Sequence, residues 1–289
     1  MNSLFLDSGA FSAYTQKKSD VLNIDEYIEY IKQNEKHITV YANLDVIGDP
    51  EATWENQRYM ESKGLNPLPI FHMNDTFDYL ERCLQYDYFG VGGSAVEKNK
   101  SQRKQFFDSV WFFITDDKGF PLSKVHGLGI TSPEFIAMYP WYSVDSASWT
   151  YFGRYGKCIM PKTNRGKFDY GKNFVTVATS YRISPDTCGA DMHISTMTGI
   201  ERDVFYKYCT DRNIPIGEST FFQADEKYEL KENEVFVNKT YEVETIIEPG
   251  VRNNSIIRDH LNVLFYMDLS KSQPEYPWAF KQKQRGSMF

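Results

Sequence analysis

The feature that most constrains this chain is an alternation, running from residue 4 to residue 145, of short apolar runs with stretches of helical periodicity. The runs 4–7 (LFLD), 38–45 (ITVYANLD), 68–72 (LPIFH), 88–91 (YFGV), 124–128 (KVHGL) and 141–145 (WYSVD) have the length of buried strands. Between them, 23–36, 50–63, 75–85, 98–114 and 132–138 read as helices. In the first of these, Ile24, Tyr27, Ile28 and Ile31 recur at helical spacing. Regular alternation with short connections predicts an α/β fold on a parallel sheet. This many units favour a (β/α)8 TIM-like barrel over an open sheet. No Gly-x-Gly-x-x-Gly opens any of the helices, which argues against a dinucleotide site.

Beyond Asp145 the rhythm weakens. Residues 151–173, rich in Gly, Lys, Arg and aromatics, read as a long basic loop inserted in the barrel. A seventh strand is expected at 174–179, helices at 200–212 and 254–269, and a hairpin at 229–243. The whole chain, 1–289, reads as a single barrel domain, with 225–289 forming a C-terminal hairpin and helix packed on it. That length buries a substantial core without disulfides. Cysteines at 83, 158, 188 and 209 are too scattered for a secreted framework, so a cytoplasmic location is expected. Asp7 and Gly9 interrupt the first ten residues, so no secretory leader is expected. No apolar run reaches the roughly 18 residues of a membrane span, and no membrane partner is expected. A net charge of −7 excludes indiscriminate coating of nucleic acid, so any such contact must come from a local basic patch.

The chemistry-bearing residues stand where the strands end: Asp7, Asp45, His72, Gly92 with Gly93, His126 and Asp145. A lone Asp after a strand is usually a helix cap. Three at matched positions, with two His and a glycine pair, point instead to a shared site, because parallel strand ends in a barrel open on one mouth.

These residues resemble a known family. LDSGAF at 6–11, NLD at 43–45, FGVGG at 89–93, HGLGITSPE at 126–134 and VDSASW at 144–149 are similar, in order and approximate spacing, to the landmarks of tRNA-guanine transglycosylases. There the corresponding segments are a DSGGFQ motif, an acid in a DEC-type motif, an AIGG turn, an MGVG-x-PE segment and an FDC nucleophile motif. The resemblance spans about half the chain and looks closest to the phage and bacterial branch that acts on DNA. It implies that Asp145 attacks C1′ of a flipped nucleotide as guanine departs, a cationic sugar being well matched to a carboxylate. It implies further that Asp7 reads the Watson–Crick edge of guanine and carries a proton for the leaving base. Ser8, Asp45, His72, Gly92, Gly93 and His126 complete the base pocket, His72 standing where the family usually has glutamine. The implied partners are DNA, with tRNA second, and a free 7-deazaguanine base.

Directly after Asp145, the segment 152–172 carries Arg154, Lys157, Lys162, Arg165, Lys167 and Lys172 against a single acid, with Tyr155, Phe168 and Tyr170 interleaved. This composition suits a displaced strand, cations on phosphates and rings on bases. The chain departs from the family in two respects. The tRNA enzymes' zinc cluster has no counterpart: no two cysteines are closer than 21 residues, and Cys188 with His193 makes half a site, so no cofactor or metal is expected. Their post-nucleophile Cys-x-x-Pro-Thr-Arg is replaced by Ser146–Trp149. Beside base exchange, three readings stay open: a DNA glycosylase that lets water finish the reaction, a barrel glycosidase, and a non-catalytic binding barrel.

Overall fold

A computed structural model describes residues 4–16, 23–94, 97–171, 173–237 and 241–284. β1 (Leu4–Leu6) leads into α1 (Ala10–Thr15) and α2 (Ile24–Asn34), and β2 (Ile38–Tyr41) into α3 (Pro50–Ser62). β3 (Ile70–His72) precedes α4 (Phe77–Cys83), β4 (Tyr88–Gly92) precedes α5 (Lys100–Phe113), and β5 (Lys124–Gly127) precedes α6 (Pro133–Met138) and β6 (Ser143–Val144). The helix starts are written in the sequence. Asn23 and Asn99 each accept two first-turn amides, and Asp49 caps α3 just ahead of Pro50.

The six strands are parallel and lie side by side in chain order. β1 pairs with β2, setting Phe5 opposite Val40, and β3, β4, β5 and β6 form a four-stranded sheet. A parallel bridge between Ala42 and Leu68 joins the two groups. There the Leu68 amide donates to Tyr41 O at 2.8 Å and the Asn43 amide to Leu68 O at 2.9 Å. The array is rolled. Phe5 of β1 stacks on His126 of β5, with centroids 4.3 Å apart and planes 19° from parallel, so side chains of the first and fifth strands meet across the concave face.

The chain divides into two compact units where the sequence suggests one domain. The first comprises Met1–Thr131, Met138–Ser146 and Pro274–Phe289, the second Ser132–Ala137 and Ala147–Gln273. In the first, Ala10, Ile28, Ile31, Leu44 and Met60 form one buried cluster. Phe107 and Trp111 of α5 meet Tyr139 and Trp141 in a second, aromatic one.

The second unit corrects the reading of the chain beyond Asp145. Residues 151–173 are not one long loop. They hold the end of α7 (Ser148–Arg154), then β7 (Lys157–Met160), β8 (Lys162–Asn164) and β9 (Lys167–Asp169). β8 and β9 form a hairpin whose two turn residues, Arg165 and Gly166, both have positive φ, as a tight turn matched to strand twist requires. β10 (Val175–Ala178) is a strand, but not a seventh member of the parallel array. It pairs antiparallel with β7 and parallel with β11 (Met192–His193). α8 (Gly199–Thr210) opens with a Thr198–Glu201 capping box. β12 (Glu218–Gln223), β13 (Glu234–Phe236) and β14 (Glu242–Glu248) make an antiparallel sheet centred on β14. α9 (Ser255–Lys271) follows Asn254 as its cap, and α10 (Lys281–Gln284) returns the chain to the first unit. The stretch 225–289 is thus shared between the two units. Cys158, Met160, Val177, Phe205, Tyr208 and Leu261 lie in the buried core of the second.

Phe107 is fully buried among rings, so Phe107→Ala leaves a cavity as well as lost transfer energy. It should lower stability by about 3–5 kcal/mol. A urea titration should show this as a lower midpoint at unchanged slope.

Candidate functional site

The parallel array puts every strand-end residue on one edge of the first unit. Asp7 follows β1, Asp45 follows the bridge after β2, His72 closes β3, and Gly92 closes β4 with Gly93 next. His126 lies in β5 and Asp145 directly follows β6. The local turns are built for close approach. Gly9 sits at φ 74° between Asp7 and α1. Gly93, at φ 78°, passes so near the β3 turn that an added Cβ would stand 2.9 Å from the Met73 amide nitrogen.

Two hydrogen-bonded chains of side chains organise the edge. In the first, the buried Ser8 donates from Oγ to Asp45 Oδ1 at 2.9 Å, and Asp45 Oδ2 meets His72 Nε2 at 2.9 Å. Asp75 Oδ2 then accepts the His72 backbone amide at 2.8 Å and lies 3.7 Å from His72 Nδ1. Tyr27, from α2, donates its hydroxyl to Ala42 O beside this chain. In the second, Tyr88 Oη and Ser143 Oγ are 2.6 Å apart, and Ser143 Oγ is 2.6 Å from His126 Nδ1. His126 Nε2 faces Asp145 Oδ1 at 3.6 Å, and the Gly129 amide donates to the same oxygen at 2.8 Å.

Asp7, Ser8, Asp45, His72, His126 and Asp145 are therefore brought together, and Gly92 packs against the His72 ring. His126, expected in the base pocket, is 2 % exposed, stacked on Phe5, and faces Asp145 Oδ1. Asp75, Tyr88, Gly129 and Ser143 escape the sequence reading. Asp75 leaves one trace, a His-x-x-Asp spacing across a turn in which Asn74 has φ 88°.

The same environment treats the carboxylates in opposite ways. Desolvation by surrounding protein, then the charges of Asp145 and Asp45, hold the Asp7 carboxyl above its usual range, although the residue keeps an exposed surface. For Asp145, burial pushes upward, but His126 and the amides of Gly129 and Asp145 outweigh it and hold the carboxyl below its usual range. The change at His72 is large. Burial disfavours its charge, yet hydrogen bonds and charge from Asp45 and Asp75 prevail and raise it to about 9. At neutral pH His72 is an imidazolium between two acids.

The predicted strand-binding cations belong to the second unit. Lys162, Arg165 and Lys167 are exposed on the β8–β9 hairpin and Arg154 is exposed at the end of α7. Lys157 gives its ammonium to Gly189 O at 2.8 Å, and Lys172 lies outside the described residues. The half-site Cys188 and His193 does not fit zinc. Cys188 Sγ donates to Pro185 O, and both His193 ring nitrogens are engaged, by Ser195 Oγ and Ile183 O. Among the described residues no three His, Cys, Asp or Glu are grouped to hold a metal ion, and no helix is long and apolar enough to cross a membrane. No protein-family model, curated protein or solved structure matches the chain.

The raised His72 value links charge to folding. Because the folded value, about 9, exceeds the ordinary 6.5, its stabilisation is complete below pH 6.5 and is lost as pH rises through 9. The amount is about 3 kcal/mol. An NMR titration of the His72 ring should give a midpoint near 9, and unfolding free energy should fall across that window. His72→Gln should flatten the fall; a ring midpoint at or below 7 would overturn the assignment.

Proposed function

We propose that the chain is a nucleic-acid base-modifying enzyme, a pentosyltransferase of the guanine-transglycosylase kind. It flips a nucleotide out of DNA, cleaves its N-glycosidic bond through Asp145, and exchanges guanine for a free 7-deazaguanine base. The observation that carries this reading is the opposed setting of two carboxyls on one strand-end edge, Asp145 low and Asp7 high. Acids separated in this way divide the work of nucleophile and proton carrier.

Asp145, ionised, forms a bond from its carboxylate to C1′ as the bond from C1′ to the purine nitrogen breaks. Asp7, the more readily protonated acid, gives its proton to the departing base and takes one back from the incoming base. Extrusion of the nucleotide costs a few kcal/mol, met by contacts to the flipped base. Ser8, Asp45 and the Gly92–Gly93 backbone face that base, a carboxylate accepting from guanine N1–H and its exocyclic amine. His72, already bound by Asp45 and Asp75, serves by fixing Asp45 and not as a direct reader. The fold that goes with this reading is the (β/α)8 barrel; its supports are the unbroken spatial order of β1 to β6 and the roll that lays Phe5 on His126. Arg154, Lys162, Arg165 and Lys167 are exposed and able to meet phosphates, consistent with DNA as partner in a cytoplasmic setting.

The test is to incubate the protein with single-stranded and duplex DNA, with and without a 7-deazaguanine base, and to analyse nucleosides and abasic sites by mass spectrometry. Incorporation of the added base is expected. Abasic sites formed regardless of the base would make the protein a DNA glycosylase acting through the same carboxylate. Asp145→Ala should abolish either activity, and an active Asp145→Ala enzyme would sink the nucleophile. Asp7→Asn should slow turnover by about 10²–10⁴-fold. Replacing Lys162, Arg165 and Lys167 by alanine should weaken binding to all sequences alike and reduce the salt slope by about 1 for each phosphate no longer neutralised.

A further inference from the structure

The concave face holds a buried polar atom that the proposed chemistry does not yet use. His126 Nε2 is buried without a hydrogen-bond partner, and it faces Asp145 Oδ1 at 3.6 Å. An unpartnered buried nitrogen is costly, so its orientation calls for a cause. Phe5 fixes the plane of the ring from one side, and Ser143 fixes its rotation through Nδ1.

The direction of the hydrogen bonds follows from the carboxylate end. A lone pair on Nε2 would be set against Asp145 Oδ1 and repelled, so the hydrogen belongs on Nε2. With the neutral ring in that tautomer, Nδ1 accepts from the Ser143 hydroxyl, and Ser143 Oγ in turn accepts from Tyr88 Oη. Asp145 Oδ1 therefore faces two donors, the Gly129 amide and His126 Nε2–H, while Oδ2 takes part in neither contact.

We propose that Tyr88, Ser143 and His126 form a positioning relay that commits Asp145 to attack through Oδ2 and makes its carboxylate a good leaving group in the second half of base exchange. This rests on the base-exchange reading above. In the first step Oδ2 bonds to C1′, the bond from C1′ to the purine nitrogen breaks, and the departing base takes the proton of Asp7. Oδ1 becomes the carbonyl oxygen of the ester and its negative charge is gone. In the second step the nitrogen of the incoming base attacks C1′, its proton passes to Asp7, and the C1′–Oδ2 bond breaks. The electron pair returns to the carboxylate, shared with Oδ1, where the Gly129 and His126 N–H groups receive it. Donors placed where charge reappears accelerate the step in which it reappears. They help the attack itself least, since there the same charge is being removed.

The relay is tested by separating the two steps. The protein is mixed with a guanine-containing single-stranded DNA, and the covalent adduct is measured by intact-protein mass spectrometry. The adduct is then chased with radiolabelled guanine. His126→Leu should slow the chase by about tenfold, the effect of removing an N–H dipole aimed at Oδ1 from 3.6 Å. Its effect on adduct formation should be much smaller, so adduct accumulates. Tyr88→Phe leaves the imidazole packed and should shift the balance the same way by a smaller factor. His126→Gln, which restores a donor, should recover most of the chase. Should His126→Leu fail to fold, Tyr88→Phe and Ser143→Ala decide. Chase rates at the wild-type value, or both steps slowed equally, overturn the relay. Absence of any adduct on Asp145 in the wild-type protein overturns instead the base-exchange reading beneath it.

Discussion

Like charges gathered at one edge of a sheet repel, and this edge carries Asp7, Asp45, Asp75 and Asp145. What makes the arrangement tolerable is a cation set among them, the His72 imidazolium, in contact with Asp45 at 2.9 Å and Asp75 at 3.7 Å. Its position depends in turn on the fold. His72 is the last residue of β3, its amide is held by Asp75, and the next residue hydrogen-bonds to Gly92 of β4. Remove the parallel pairing of β3 with β4 and the counter-charge no longer sits between the acids. Asp7, desolvated by the surrounding protein and facing the charges of Asp145 and Asp45, holds its proton more tightly than a free carboxyl.

Two histidines on β3 and β5, with β4 between them, thus do different work because of what each ring nitrogen meets. His72 lies between carboxylates at both nitrogens and becomes a charge. His126 meets a hydroxyl at Nδ1 and turns its Nε2 toward Asp145. A histidine set against Asp45 and another set against Asp145 differentiate carboxylates that share one edge. Backbone amides, one serine and one tyrosine hold both rings in these settings.

The alternation from Leu4 to Asp145 is legible in the sequence because apolar runs and helical stretches follow one another at short intervals, and Asn23, Asp49 and Asn99 mark three of the helix starts. The convergence of Asp7, Asp45, His72 and Asp145 follows from that alternation alone, since parallel strands end on one side. The partners of these residues are not legible. Tyr88 and Ser143 are 55 residues apart, and nothing local to either marks them as a pair. Beyond Asp145 the composition misleads. β7 is four residues long between Gly156 and Pro161, and the β8–β9 hairpin carries Lys, Arg and Gly in the proportions of a solvated loop. Its turn, Arg165-Gly166, lacks the Asn-Gly or Asp-Gly pair that would announce it. The division into two units is equally hidden, because it depends on which segments touch and not on any linker-like stretch.

The path of the chain also bears on how the protein comes to be made. Strands β1 to β5 can each find a neighbour as soon as they emerge, which suits a chain that folds while it is being synthesised. Yet the first unit is not complete at that point. The Phe280 amide donates to Gly119 O at 2.8 Å, and Lys283 Nζ donates to Phe112 O at 2.6 Å, tying the C-terminal segment to the end of α5 and its loop. Between Ser146 and Pro274 the ribosome must first deliver all of the second unit except Ser132–Ala137. Until then the aromatic cluster around Trp111 and Tyr139 waits for Phe280, which packs on Tyr139 with ring centroids 5.6 Å apart. The nascent chain therefore carries an unfinished apolar surface for more than a hundred residues of translation, and a truncation short of Phe280 leaves that surface open in the finished product.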